Sequence, residues 1–181
     1  MFSGVISGVI FKKLADWSTH DDPRIRYYSG TATYRKKVVF SDFRPPTSDA
    51  RMILDLGKVA DVAEVWVNGH SAGVLWTPPF RIDIAMWVRP GENAIEVRVA
   101  NQWVNRLIGD ERIAVDYTYQ AGGSKFTEGA LQQLPEWLGK PDAKSRNKRH
   151  TFMTWKHYTA ESPLLPSGLL GPVTVQTMRQ E

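Results

Sequence analysis

Hydrophobic and polar residues alternate along much of the chain. In "TATYRKKVVF" (31–40), Ala32, Tyr34, Val38 and Phe40 share one face, with Lys36 as the exception. In "RMILDL" (51–56) the shared face carries Met52, Leu54 and Leu56. "VAEVWVNG" (62–69) points Ala63, Val65 and Val67 one way and Glu64, Trp66 and Asn68 the other. "FRIDI" (80–84) does the same with Phe80, Ile82 and Ile84 against Arg81 and Asp83. "NAIEVRVAN" (93–101) sets Ile95, Val97 and Val99 against Glu96 and Arg98, and "PVTVQTM" (172–178) adds Val173 and Val175. A repeat of two predicts strands with one buried and one wetter face, the pattern of antiparallel sheet. "NG" at 68–69 is a short hairpin signal, and "RPGEN" at 89–93 is a loop entering the next strand. The opening "MFSGVISGVIF" reads as one more strand, with Val5, Val9 and Phe11 on one face. Short strands at this spacing, with little helical periodicity, predict an all-β antiparallel sandwich or jelly roll.

Residues 104–171 break the pattern. "TEGALQQLPEWLGK" (127–140) spaces Leu131, Leu134 and Leu138 for a short helix, which Pro135 interrupts. "ESPLLPSGLLGP" (161–172) holds three prolines and two glycines and reads as an ordered extended segment. So long an irregular stretch in a compact domain is usually functional or packs on something else. The 181 residues fit one domain, 1–181, with an irregular elaboration at about 104–171 ahead of the last strand.

Composition narrows the function classes. There is no cysteine, which removes disulfides and thiolate metal sites. The net charge is +4, and much of the excess lies in "KPDAKSRNKRH" (140–150), which reads as a solvated loop. A single-strand nucleic-acid binder needs cations interleaved with aromatics on a sheet face, so nucleic acid is not the expected partner. No run is long and apolar enough to span a membrane. Lys12 and Lys13 follow the first apolar run rather than precede it, so no signal peptide is expected.

The chemistry of the polar residues points away from catalysis. The carboxylates Asp16, Asp21, Asp22, Asp55, Asp61, Asp110, Glu111 and Glu136 include no pair that the sequence assigns to opposite sides of a glycosidic bond. The serines lack a nucleophile elbow, and there is no phosphate loop or dinucleotide fingerprint. His20, His70, His150 and His157 are scattered, and no dense Asp/Asn loop is present, so neither a metal nor another cofactor is expected. Aromatic side chains are abundant instead. The seven tryptophans offer flat apolar faces with one donor each, suited to stacking on a sugar ring. For any one tryptophan, sheet covering or core filling is the simpler role.

Several stretches carry a family resemblance. "YYSGTATYRKKVVF", "LDLGKVADVAEVWVNGHSAGVLWTPPFRIDI" and "RPGENAIEVRVANQWVNRLIGDE" resemble the sugar-binding jelly-roll domain of glycoside hydrolase family 2 and its relatives. "NRLIGDE", "LPEWL" and "FMTWKHYTAESPLLPSGLLGPV" resemble the C-terminal region of family 106 α-L-rhamnosidases. The resemblance runs from about Leu14 to Val175. It implies a galactose-binding-like fold and an accessory role in a periplasmic or secreted parent enzyme. Such enzymes carry their catalytic carboxylates on a separate (β/α)₈ barrel of roughly 250 residues, so no catalytic residue is carried over. Two partners follow from it: a carbohydrate, of which a rhamnose-containing polysaccharide is one example, or the catalytic barrel itself.

The candidate contact residues are Trp76, Trp103, Asn105, Arg106, Trp155, Lys156 and His157. Pro78 and Pro79 fix the backbone beside Trp76 and would hold it on a rigid loop. Asn, Arg, Lys and His supply donors for sugar hydroxyls or a partner's backbone. The sequence further predicts that Trp103 and Trp155 meet on one surface at an end of the sandwich.

Overall fold

The computed structural model describes residues 3–6, 9–11, 13–41, 50–123, 128–139 and 148–179. Its strands are β1 Ser3–Ile6, β2 Val9–Phe11, β3 Thr31–Phe40, β4 Ala50–Asp55, β5 Lys58–Ala60 and β6 Val62–Val67. They continue as β7 His70–Leu75, β8 Arg81–Asp83, β9 Gly91–Ala100, β10 Gly168–Gly171 and β11 Thr174–Arg179. Two short helices, α1 Pro23–Arg26 and α2 Val104–Asp110, lie between them. A six-stranded sheet runs β2-β1-β3-β9-β6-β7, a three-stranded sheet runs β11-β4-β8, and β10 pairs with β5. All the strand pairs are antiparallel, and the architecture is the all-β sandwich that the alternation predicts.

The core lies between the inner faces. The larger sheet contributes Ala32 and Tyr34, Ala63, Val65 and Val67, and Ile95, Val97 and Val99. Met52 and Leu54 of β4, with Ile84 beyond β8, face them. These are the residues that period 2 turns inward, because burying apolar area outweighs the weak strand propensity of any single residue. The hairpin signal holds as well. Asn68 and Gly69 adopt φ of 51° and 84°, the left-handed pair that a two-residue hairpin turn requires.

Three expectations need correction. The first eleven residues do not form one strand: β1 and β2 pair with each other, Val5 opposite Ile10 and Ile6 opposite Val9. Among the described residues of 128–139 there is no helix. Gly129 and Gly139 sit at φ of 79° and 76°, Pro135 lacks an N–H, and Leu134 and Leu138 stay exposed rather than forming a buried stripe. Conversely, 104–110 within the irregular stretch is helical, whereas the extended reading of 161–172 agrees with strand β10 at its end.

A buried polar knot ties Trp17 and Leu169 to the core. Trp17 Nε1 donates to the Tyr34 hydroxyl at 2.8 Å, and the Leu169 backbone N–H donates to the same oxygen at 3.1 Å. Burial pushes the Tyr34 hydroxyl pKa up, so it stays neutral. Gly168 sits at φ +103° against the indole, where an added Cβ would lie 2.5 Å from Trp17 Nε1. The preceding turn is held just as closely. Asp16 accepts from Ser167 N at 3.0 Å, and the Asn101 amide donates to Ser167 Oγ at 3.1 Å.

Tyr34→Phe deletes the oxygen but leaves two buried donors without it. The expected loss is about 2 kcal/mol, a fall of roughly 4–8 °C in Tm for a chain of this length. Thermal unfolding measures it, and an unchanged Tm would show that the knot contributes nothing.

Candidate functional site

The irregular segment is organised by one carboxylate at the end of α2. Asp110 is fully buried. Its Oδ2 accepts from His150 N at 2.8 Å, Thr151 N at 2.7 Å and Thr151 Oγ1 at 2.8 Å. Arg106 Nη1 lies 3.5 Å from Oδ1. Arg149 provides a second clasp. Its Nη1 donates to the carbonyls of Asp110 and Ile113, both at 2.6 Å. Its Nη2 donates to Glu111 Oε1 at 2.6 Å and to the Tyr117 hydroxyl at 2.9 Å. The guanidinium also lies over the Tyr117 ring, 5.2 Å from the centroid, as cation–π attraction favours. The solvated-loop reading of 140–150 therefore fails at Arg149, which is only 4% exposed. Residues 140–147 of that run lie outside the described residues.

Aromatic rings fill the space beside this clasp. Tyr117 meets Phe152 edge to face at 6.4 Å, and Phe152 meets Trp137 at 6.0 Å. Trp137 Nε1 donates to Asp116 at 3.3 Å. At the open end of the stack, Trp103, Leu107, Trp137, Leu138, His150 and Phe152 line a groove of about 350 Å³. Trp103 is 61% exposed there. One exposed indole, one anchored indole and polar groups at the rim suit stacking on an amphipathic ring.

The sequence candidates separate into different roles. Trp103 lines the groove, but Trp155 does not: it pairs as a β-bridge with Ala130, beside Gly129. Trp137 and Phe152 line the groove with Trp103 in its place. Asn105 is 2% exposed, and both ends of its amide are engaged. It donates to Leu165 O and Ser167 Oγ and accepts from Leu165 N, so it braces the return segment rather than facing a ligand. Arg106 is turned toward Asp110. Lys156 and His157 are exposed, on the strip that carries Trp155. Trp76 is 75% exposed on the loop between β7 and β8, and it does not line the groove.

Several of the carboxylates considered for catalysis are engaged in structural contacts. Asp110 and Glu111 hold the clasp. Asp16 caps a turn through Ser18 and Ser167, Asp55 pairs with Arg81 at 2.7 Å, and Asp61 accepts from Gln102 N. Among the described residues no group of three or more His, Cys, Asp or Glu is gathered for a metal ion. Nor is any of their helices long and apolar enough to cross a membrane.

No family model matches the chain. Its homologues are segments of glycoside hydrolases. The chain is 42% identical over 173 residues to a protein of Formosa agariphila named "Putative beta-glucuronidase", covering 96% of this chain and 14% of that one. The beta-glucuronidase of Homo sapiens is 27% identical over 117 residues, covering 62% of this chain and 18% of that protein. Among solved structures, the rhamnosidase from Novosphingobium sp. PP1Y superposes with a TM-score of 0.70 at 32% identity, over 98% of this chain and 14% of that one. The chain thus spans about one seventh of the two proteins it matches over nearly all its length.

The clasp makes a direct prediction. Arg149→Met removes four hydrogen bonds, one of them the ion pair with Glu111. Breaking one side of a buried pair is strongly destabilising. Hydrogen exchange should speed up by about tenfold or more across 110–119 and 149–153, with β3, β6 and β9 unchanged. Uniform loss of protection would instead make Arg149 part of the global core, and no change would remove its role.

Proposed function

We propose that the chain is a non-catalytic accessory domain of a glycoside hydrolase, and that the Trp103–Trp137 groove is its carbohydrate-contacting surface. The observation that carries this reading is the match of nearly the whole chain to a small segment of two much larger proteins, one named as a glucuronidase and one as a rhamnosidase. The groove supports the finer part. Trp103 offers an exposed face, Trp137 is fixed by its bond to Asp116, and the His150 imidazole is exposed at the rim. A single sugar stacked there would bind weakly, on the order of millimolar, because few contacts must offset the cost of association. The parent activity best supported is hydrolysis of rhamnose- or uronate-containing glycans, in the manner of the family 2 and family 106 enzymes that the sequence resembles.

A second reading rests on a different observation. Leu134 and Leu138 are 61% and 42% exposed, and Trp103 lies at the same groove as Leu138. An apolar rim of this kind also suits docking against a catalytic barrel, with no sugar involved.

Tryptophan fluorescence during titration with rhamnose- and uronate-containing oligosaccharides separates the two readings. The sugar reading expects a saturable change that Trp103→Ala abolishes while the far-ultraviolet circular dichroism is kept. No response to any glycan leaves docking as the better account. The chain alone should release no aryl glycoside. Turnover that Glu111→Gln abolishes would overturn the non-catalytic assignment.

A further inference from the structure

The larger sheet has a second face, turned away from the core, and it carries an unusual cluster. Strand register places Arg35, Glu96 and Trp66 in one cross-strand row, and Thr33, Arg98 and Glu64 in the next. Two guanidiniums converge on one carboxylate: Arg35 Nε and Arg98 Nε each lie 2.7 Å from Glu96. Arg98 also reaches Glu64 at 3.3 Å, and its guanidinium carbon lies 4.7 Å from the Trp66 ring centroid. Lys37 pairs with Glu92 at 2.8 Å, with both side chains more than half exposed. Arg35, Lys36, Lys37, Trp66, Glu96 and Arg98 line an open groove of about 720 Å³, twice the volume of the Trp103 groove.

Three features mark this groove as more than a solvated sheet face. The lining holds four cations, Arg35, Lys36, Lys37 and Arg98, against one carboxylate, Glu96. With Glu64 and Glu92 counted as well, the described residues here hold four cations against three carboxylates. A tryptophan ends this charged row, next to Glu96, at a strand position whose period-2 phase faces solvent. Its Nε1 is buried and has no hydrogen-bond partner, a donor left without an acceptor at a cost that ordinary sheet covering would avoid.

We infer that this groove binds a uronate residue of a polysaccharide. A carboxylate is planar and matches the fork of a guanidinium, and the Arg98 guanidinium lies beside the Trp66 ring. The C–H face of the pyranose suits the indole, and its hydroxyls suit Glu96 and Glu64 as acceptors. A neutral sugar would use the ring but leave the excess positive charge unanswered. A free anion would use the charge but leave the ring unused. The site is separate from the Trp103 groove, and it stands or falls independently of that surface.

The test uses the intact chain labelled with ¹⁵N, following the indole Nε1–H signals assigned by Trp66→Phe and Trp103→Phe. Methyl β-glucuronide and methyl β-glucoside are titrated at matched ionic strength. The glucuronide should move the Trp66 signal saturably, with Kd on the order of millimolar. The glucoside should bind at least about fivefold more weakly. Arg98→Gln should weaken the glucuronide about tenfold, and the exposed Lys37→Gln should weaken it less, both with dispersed native spectra. No movement of Trp66, or equal affinity for the two glycosides, overturns the inference. So does an equal shift with sodium sulfate, which marks a generic anion patch, or tighter binding of a thymidine oligonucleotide, which marks a nucleic-acid surface. A glucuronide that moves Trp103 alone assigns the sugar to the other groove and likewise overturns it.

Discussion

The irregular third of the chain depends on a buried carboxylate that has been made safe by its partners. A buried charge is costly unless it is paired and hydrogen-bonded. Asp110 meets that condition with two backbone N–H groups, a hydroxyl and a nearby guanidinium. Its donors come from residues forty and forty-one positions later in the chain, so the bond set closes a long loop onto the end of α2. Arg149 then repeats the tactic from the other side, satisfying carbonyls of Asp110 and Ile113 that would otherwise face inward. With both clasps in place, Phe152 is delivered to Tyr117 and Trp137, and the Trp103 groove has walls.

This arrangement divides labour between scaffold and surface. The sandwich buries its apolar rows and keeps its shape through packing, with the Trp17–Tyr34–Leu169 knot holding the return strand against it. Loops and elaborations on a rigid scaffold are where binding residues accumulate. Here an elaboration of few regular elements is held by polar clasps and stacked rings, and it presents indoles at its edge. Asp110 and Glu111 are among the groups that hold this elaboration together.

Most of the sandwich was legible because burial on one face imposes a period that a reader can count. The inward rows Ala63–Val65–Val67 and Ile95–Val97–Val99 are in the sequence as plainly as in the structure. So is the Asn68–Gly69 turn, since only certain residues take positive φ cheaply. The groove was half legible. Trp103 could be singled out because it follows a strand end with polar neighbours. Trp137 and Phe152 could not be joined to it, because Asp110 and Arg149 act over distances in sequence that leave no period behind. Asn105 misled for a related reason: an amide that completes a buried network is the same residue type as one that meets a sugar hydroxyl. The opening strands misled because an alternating run does not record where it folds back on itself. The outer-face cluster around Trp66 was visible only as a tryptophan on the polar side of a strand, since its partners Arg35 and Arg98 lie on neighbouring strands.

The proposed sugar-contacting surface at Trp103 and Trp137 depends on the clasp at Asp110. The most direct measurement is a crystal structure of the intact chain soaked with a rhamnose- or uronate-containing oligosaccharide at saturating concentration. A pyranose ring should stack on the exposed face of Trp103, with its hydroxyls toward His150 and the Asp110–Thr151 bonds unchanged. A groove that stays empty of sugar under those conditions, with Trp103 instead covered by another protein surface, would contradict it.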